Sequence, residues 1–187
     1  MQSSDSWKTQ QKRTVLNGGK FITVEYHTIE LPDGQVIDDW AWVITPDFVN
    51  VILVDEQGGF VLFRQTKYAI DGLSLAPVGG YIEPGEDPLT AAKRETLEET
   101  GYEASQWTAL GSYRVDANRG AGMAFAFLAT GARKVTAPDA DDLEDQKLVI
   151  LTREQVETAL FNGEFKVLPW ANSVALGLLH LKEACRK

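Results

Sequence analysis

The hydrophobic pattern begins with a β-rich segment near the N-terminus. Residues 1–10 are polar, and we expect them to be loosely held. From Lys12 to about Pro46 the pattern is strand-like, with β-branched and aromatic residues from Lys20 to Leu31 and a return strand from Val36 to Thr45. The turn Pro32-Asp33-Gly34 between them indicates a hairpin. A β unit of roughly 35 residues is too small to be stable alone, so it should dock on the remainder or on a partner chain.

The rest of the chain alternates strand-like and helix-like segments. Asp87 is a good N-cap, Pro88 suits the first helical position and Gly101 suits the C-terminal stop, which together predict one helix. The other predicted strands are Phe48–Val54, Gly59–Gln65, Trp107–Val115, Met123–Ala129 and Leu148–Leu151, and the other predicted helices are Arg153–Asn162 and Trp170–Cys185. The fold class is therefore α/β, a sandwich with a mixed sheet (47–187) preceded by a small antiparallel β subdomain (1–46).

Composition narrows the range of partners. The 187 residues carry a net charge of −9 and have a pI near 4.7. No dense Lys/Arg stripe is present, which argues against general nucleic-acid binding and against an anionic membrane surface. No apolar run approaches the ~20 residues of a membrane span, and the N-terminus lacks a signal-peptide core. We expect a cytoplasmic protein, and its single cysteine, Cys185, excludes an internal disulfide.

The predicted helix at 88–100 carries the most informative side chains. Each helical residue advances by about 100°, so Glu95, Glu98 and Glu99 fall on one stripe. Stacked carboxylates repel one another, and a hard divalent cation such as Mg²⁺ or Mn²⁺ would turn this repulsion into attraction. Taken alone, the stripe is better explained as a solvated acidic helix face.

The wider motif favours the metal. The stretch GGYIEPGEDPLTAAKRETLEETGY gives Gly80, five residues, Glu86, seven residues, and then Arg-Glu-x-x-Glu-Glu-x-Gly at 94–101. This spacing resembles the Nudix box. Two softer positions depart from the family pattern, since Thr96 and Tyr102 stand where aliphatic residues are usual.

The resemblance implies a loop–helix–loop that binds magnesium, with manganese as a substitute. Its ligands would be the carboxylates of Glu95, Glu98 and Glu99 and the backbone carbonyl of Gly79. Arg94 would hold Glu98 or a neighbouring carboxylate in place, and the resemblance assigns catalytic roles to Arg94 and Glu98. Glu86 would anchor the loop or bind metal through water. Such ions neutralise the diphosphate and activate a water.

Beyond the box, the chain resembles the branch that hydrolyses ADP-ribose and nucleoside-diphosphate sugars. That branch carries an N-terminal β unit, commonly exchanged between two subunits, which implies a homodimer. Trp40 and Trp42 lie on one face of a strand and form either core or a shelf for the base. Arg64 and Lys67 occupy the place of an Arg-Gln-x-Arg-like strand end and could contact phosphate, although Arg64 could equally be an exposed strand-end charge.

The general base of this branch is usually a Glu on a later loop. The acidic stretch 138–145 offers Glu144 first, then Asp142 and Asp145, although it could also be a solvated loop. Arg119, in a Gly-rich segment, could bind a phosphate or the distal sugar, or be a solvated turn residue.

The sequence differs from the family pattern at two places, and these differences leave the identity of the substrate's sugar undetermined. The Glu-x-Pro-Gly-Gly that often precedes the box is Leu75-Ala76-Pro77-Val78-Gly79-Gly80, and Ala117 stands where ADP-ribose enzymes commonly have proline. The leading hypothesis is Mg²⁺-dependent hydrolysis of the diphosphate bond of a nucleotide sugar, with ADP-ribose as the best guess. The alternatives are a dinucleoside polyphosphate, a nucleoside triphosphate or an RNA 5′ end, a Nudix fold that binds nucleotide sugar without cutting it, and a plain acidic Ca²⁺ binder.

Overall fold

The chain folds into two units. The computed structural model describes residues 6–138 and 146–184. The N-terminal unit comprises Met1–Asp47 together with Arg114–Met123, and the central unit comprises Phe48–Tyr113 and Ala124–Lys187. The segment Arg114–Met123 therefore groups with the N-terminal residues although it lies far along the chain.

The N-terminal unit is a three-stranded antiparallel sheet of β1 (Lys8–Asn17), β2 (Thr23–Glu30) and β3 (Val36–Ile44). The predicted hairpin turn is present, with the Leu31 N–H donating to the Gln35 carbonyl and Gly34 at φ 87°. The expectation that residues 1–10 are loosely held is wrong from Lys8 onward, because Lys8 already pairs with Glu30. Pairing with β2 orders residues from Lys8 onward, and the polarity of the local sequence does not predict that pairing.

The central unit contains a six-stranded mixed sheet. Its strands are β4 (Phe48–Asp55), β5 (Phe60–Gln65), β6 (Ser74–Ala76), β7 (Tyr102–Arg114), β8 (Met123–Lys134) and β9 (Gln146–Leu151). The order is β6-β5-β4-β8-β7, with β9 on β5. The β4–β8 pair is parallel, whereas β5 is antiparallel to β4, β6 and β9. β7 and β8 extend further than the sequence pattern predicts.

Helices cover both faces of this sheet, as predicted. One face packs against Ala91 and Ala92 of α1 (Pro88–Thr100). The other packs against Val156 of α2 (Arg153–Phe161) and Val174 of α3 (Leu168–Ala184). Residues of β4 alternate between the two cores, which is why this strand reads as a continuous apolar run. The α/β/α sandwich is thus confirmed.

The ends of α1 are fixed by the residues that the sequence indicates. The Asp87 side chain accepts hydrogen bonds from the Leu89 and Thr90 N–H groups, and Pro88 begins the helix. Gly101 ends it in the left-handed conformation, at φ 73°. Its carbonyl accepts from Val135 N–H at 2.8 Å, which ties the helix end to the residues after β8.

Among residues 6–138 and 146–184, no helix is long and apolar enough to cross a membrane.

Candidate active site

The acidic stripe of α1 runs along the boundary between the core and the surface. Ala91, one turn before Glu95, is fully buried. The side chain of Glu95 is 14% exposed, whereas that of Glu98 is 50% exposed. The departure at Thr96 is harmless, because its side chain is buried and its hydroxyl donates to the Ala92 carbonyl at 2.7 Å. The stripe therefore presents one nearly buried carboxylate and one that faces solvent.

The Arg94 guanidinium connects most of the acidic groups. Its Nε and Nη2 donate to the two carboxylate oxygens of Glu86, each at 2.9 Å, and Nη2 also donates to the Tyr81 carbonyl at 3.2 Å. Its Nη1 donates to Glu95 Oε1 at 2.8 Å and to Glu98 Oε2 at 3.1 Å. The predicted contact of Arg94 with Glu98 is thus present, and Glu86 anchors the loop.

The loop before α1 runs along β4 as an irregular strand. Val51 N–H donates to the Val78 carbonyl at 2.8 Å, and Val49 N–H donates to the Gly80 carbonyl at 2.9 Å. The Gly79 N–H in turn donates to Glu99 Oε2 at 3.2 Å. A Cβ at Gly80 would overlap the Glu95 carboxylate, and a Cβ at Gly79 would overlap the Val49 carbonyl. Both glycines are therefore needed for the loop to lie this close to helix and strand.

Charge and burial act in opposite directions on these carboxyls. Burial raises the pKa of Glu95, and the neighbouring Arg94 offsets part of that rise. The Arg94 hydrogen bonds, followed by that of the Glu83 N–H, lower the pKa of Glu86. The Glu86 carboxylate in turn raises the pKa of Arg94, so the guanidinium stays charged. Burial therefore disfavours the ionised form of Glu95, which a nearby cation would favour.

The donor set suits a hard divalent cation. Carboxylate oxygens on one helical stripe, next to a loop backbone, are the ligands that Mg²⁺ and Mn²⁺ prefer. In the part of the chain that the structure describes, no three acidic, histidine or cysteine side chains converge closely enough to hold a metal. One oxygen of Glu95 and one oxygen of Glu98 accept hydrogen bonds from Arg94. The residues fit the ion in their chemistry.

The tryptophans of β3 contact the segment Arg114–Met123 within the N-terminal unit. Trp40 Nε1 donates to the Asn118 carbonyl at 3.2 Å, and the Arg119 guanidinium lies 5.9 Å from the Trp40 ring centroid. Trp42 stacks on His27 with centroids 5.2 Å apart, and a Cβ at Gly120 would overlap its indole. The structure thus brings Trp40, Trp42 and Arg119 together.

Two further predicted site residues, Arg64 and Lys67, lie apart from these contacts. Arg64 is 3.9 Å from the Glu164 carboxylate, beside the loop between α2 and α3. Lys67 is half-buried in the turn after β5, where its carbonyl accepts from Ile70 N–H at 2.9 Å. The candidate bases Asp142, Glu144 and Asp145 lie outside the described residues.

The sequence pattern did not predict three contacts of the site. The Tyr81 carbonyl and the Glu83 N–H hold Arg94 and Glu86 through main-chain atoms, which carry no side-chain signal. The packing of Glu95 on Gly80 was equally hidden, although a glycine directly before a polar loop often marks close backbone approach.

Two domain families and several proteins of known name match this chain. Residues 45–171 match the NUDIX domain, and residues 7–43 match the nucleoside diphosphate sugar hydrolase N-terminal domain. The chain is 28% identical to the methanol dehydrogenase activator of Bacillus methanolicus, covering 96% of this chain and 94% of that protein. It is 27% identical to the ADP-ribose pyrophosphatase of Bacillus subtilis, covering 95% and 94% respectively.

A solved structure shares the whole fold. The crystal structure of an ADP compounds hydrolase superposes with a TM-score of 0.82 over 100% of both chains, at 19% identity. This likeness establishes the architecture. Because the NUDIX domain match covers well over half of the chain and includes α1 with its flanking loops, the protein belongs to the NUDIX family.

Proposed function

We propose that this protein hydrolyses the diphosphate bond of a nucleoside-diphosphate sugar in a Mg²⁺-dependent reaction. ADP-ribose is the best single candidate and would give AMP and ribose 5-phosphate. The observation that carries the proposal is the Glu95–Glu98–Glu99 stripe held against the Gly79-Gly80 loop. The match of residues 7–43 to a nucleotide-sugar hydrolase domain supports the substrate class.

The proposed metal ligands are Glu95, Glu98, Glu99 and the Gly79 carbonyl. A bound divalent ion would neutralise charge on the diphosphate and lower the pKa of a water molecule. Glu95 contributes a charge that burial makes costly, so a bound cation would stabilise its ionised form. Gly79 fixes Glu99 through its N–H, which limits the side-chain freedom lost when the ligands assemble.

For the general base we keep Glu144 as first choice, followed by Asp142 and Asp145. The supporting feature is the position of this acidic stretch directly before β9, the strand that pairs with β5 along its whole length. A carboxylate there would accept the proton of the attacking water. Replacing each of the three by its amide and comparing kcat would identify the base.

We propose that Trp40, Trp42 and Arg119 contribute to substrate binding. Trp40 is only half-buried and has a guanidinium above its ring, an arrangement that also suits a planar base. Arg64 and Lys67 are proposed as phosphate contacts, with Arg64 the weaker because Glu164 is its neighbour. Trp40→Ala should then raise KM for the nucleotide sugar, and an unchanged KM would assign Trp40 to packing alone.

We further propose a homodimer. All residues of β1 are exposed, and the N-terminal unit exposes large apolar side chains, namely Val15 at 50%, Leu16 at 52% and Phe21 at 55%. A second copy that covers this sheet would remove that apolar surface from water. Light scattering at micromolar concentration should report about twice the chain mass, and a monomer at that concentration would contradict the proposal.

The decisive experiment is a substrate panel. Nucleotide sugars, dinucleoside polyphosphates and nucleoside triphosphates are incubated with protein and Mg²⁺, and the mononucleotide and sugar phosphate released are quantified. Glu99→Gln should remove turnover and leave the unfolding midpoint unchanged. Glu103→Gln is the matched control, since Glu103 is an exposed carboxylate just beyond the helix. Parent-like turnover by Glu99→Gln would refute the metal assignment, and preference for a triphosphate would refute the substrate class.

A further inference from the structure

One nitrogen of Arg94 lies between two proposed metal ligands. Its Nη1 is 2.8 Å from Glu95 Oε1 and 3.1 Å from Glu98 Oε2. A positive group that bridges these two carboxylates occupies the place of a shared cation. The inference that follows rests on the proposed metal site.

The other half of the same guanidinium is held independently. Glu86 grips Nε and Nη2 with both of its oxygens at 2.9 Å, and the Tyr81 carbonyl accepts from Nη2. Glu86 is itself fixed by the Glu83 N–H at 3.0 Å. A bidentate arginine–carboxylate pair is geometrically rigid. The guanidinium can therefore lose its Nη1 partners without leaving its place.

Burial explains why Glu95 needs a positive partner. The Glu95 side chain is 86% shielded from solvent, and an ionised carboxylate in such a place is costly unless it is paired. Glu98 and Glu99 lie one turn away on the same helix, so repulsion adds to that cost. Within the described residues, Arg94 is the cation that the structure pairs with Glu95.

We propose that Arg94 is a displaceable internal counter-cation. In the metal-free protein Nη1 neutralises Glu95 and Glu98. When a divalent ion binds, Nη1 releases both carboxylates, while Nε and Nη2 stay on Glu86. Arg94 thus stabilises the helix when no ion is bound and at the same time weakens metal binding, because Glu95 Oε1 and Glu98 Oε2 become available to the ion only when their Nη1 contacts break. It is a positioning residue whose competition sets the metal affinity.

Manganese titration of two variants tests this. Arg94→Met removes the competitor, and Lys93→Met removes the charge of an adjacent exposed lysine for which the described residues provide no ion pair. Mn²⁺ affinity, measured by electron paramagnetic resonance, should tighten by about tenfold in Arg94→Met and by less than about threefold in Lys93→Met. The metal-free unfolding midpoint should fall in Arg94→Met only.

Three results of these titrations would overturn the inference. Weaker Mn²⁺ binding by Arg94→Met would show that the arginine organises the ligands, and the inference would be overturned while the metal site stood. Absence of Mn²⁺ binding by the parent would overturn the metal site and the inference together. Equal tightening in both variants would reduce the effect to general charge and would also overturn the inference.

A measurement on the parent protein covers the case in which Arg94→Met does not fold. Arginine side-chain NMR follows the guanidinium during Mg²⁺ titration, with Arg94→Lys used to assign its signals. The Nε–H signal should persist, since Glu86 keeps its hydrogen bond, whereas the Nη1 protons should lose their slowed rotation. Nη1 protons that stay slowed at saturating Mg²⁺ would contradict displacement.

Discussion

Two adjacent glycines should respond to the same substitution in opposite ways. Neither Gly79 nor Gly80 has a positive φ, so alanine at either position meets no backbone strain. The new Cβ at Gly80 would overlap the Glu95 carboxyl group, the far end of a flexible side chain. The new Cβ at Gly79 would overlap the main-chain carbonyl of Val49, a residue with no exposed surface.

The structure gives the size of each effect. Restoring van der Waals contact in Gly80→Ala moves the Glu95 carboxyl by roughly 1 Å, which breaks its hydrogen bond to Arg94. That bond is partly exposed, so its loss should cost only about 1 kcal/mol of unfolding free energy. In Gly79→Ala the buried strand β4 cannot move aside, and overpacking should cost about 3 kcal/mol.

Denaturant unfolding and Mn²⁺ titration distinguish the effect of Gly79→Ala from that of Gly80→Ala. Gly80→Ala should keep most of its stability and lose about 10- to 100-fold in Mn²⁺ affinity, because one ligand is displaced. Gly79→Ala should lose mainly stability. Because loss of the Arg94 contact itself affects Mn²⁺ affinity, the ligand test is made in the Arg94→Met background. Equal Mn²⁺ affinity with and without Gly80→Ala in that background would refute Glu95 as a ligand, and parent-like stability in Gly79→Ala would refute the close approach of the loop to β4.

Three further outcomes are expected. Thr152→Ala removes the capping box that Thr152 forms with Gln155, which should cost about 1 kcal/mol in denaturant unfolding and leave kcat unchanged. Gln10→Ala removes the main cause of the lowered pKa of Glu30 and should move it up toward 4.5, as followed by NMR. Because the folded pKa lies below that value, the linked stability is present above pH 4.5 and lost as the pH falls through the folded pKa. A chelator should abolish turnover without changing the circular dichroism spectrum, since Arg94 still neutralises Glu95.

The elements that the sequence predicts best are those with strong local signals. Asp87, Pro88 and Gly101 define α1 correctly because capping depends on single residues and their immediate backbone. The alternation in β3 correctly places Trp40 and Trp42 on one face. Local chemistry alone decided these features.

Features that depend on distant partners were not predictable. Lys8 enters a strand because Glu30 lies opposite, and β8 continues to Lys134, beyond the last apolar residue of its predicted run. The contact of Trp40 with Asn118 joins residues 78 positions apart. The two hydrogen bonds from Arg94 to Glu86 likewise require the loop to fold back on the helix. The spacing of the two residues in the sequence does not by itself predict that contact.

The caps at the two ends of α1 restrict where residues can be inserted into this chain. Asp87 fixes the first turn, and Gly101 fixes the last through the Val135 N–H. A residue inserted between them would rotate every later carboxylate by about 100° around the axis and would turn part of the stripe away from the loop. Tolerated insertions should therefore fall in the connections outside this helix, and libraries that vary substrate preference can be directed there without disturbing the acidic stripe.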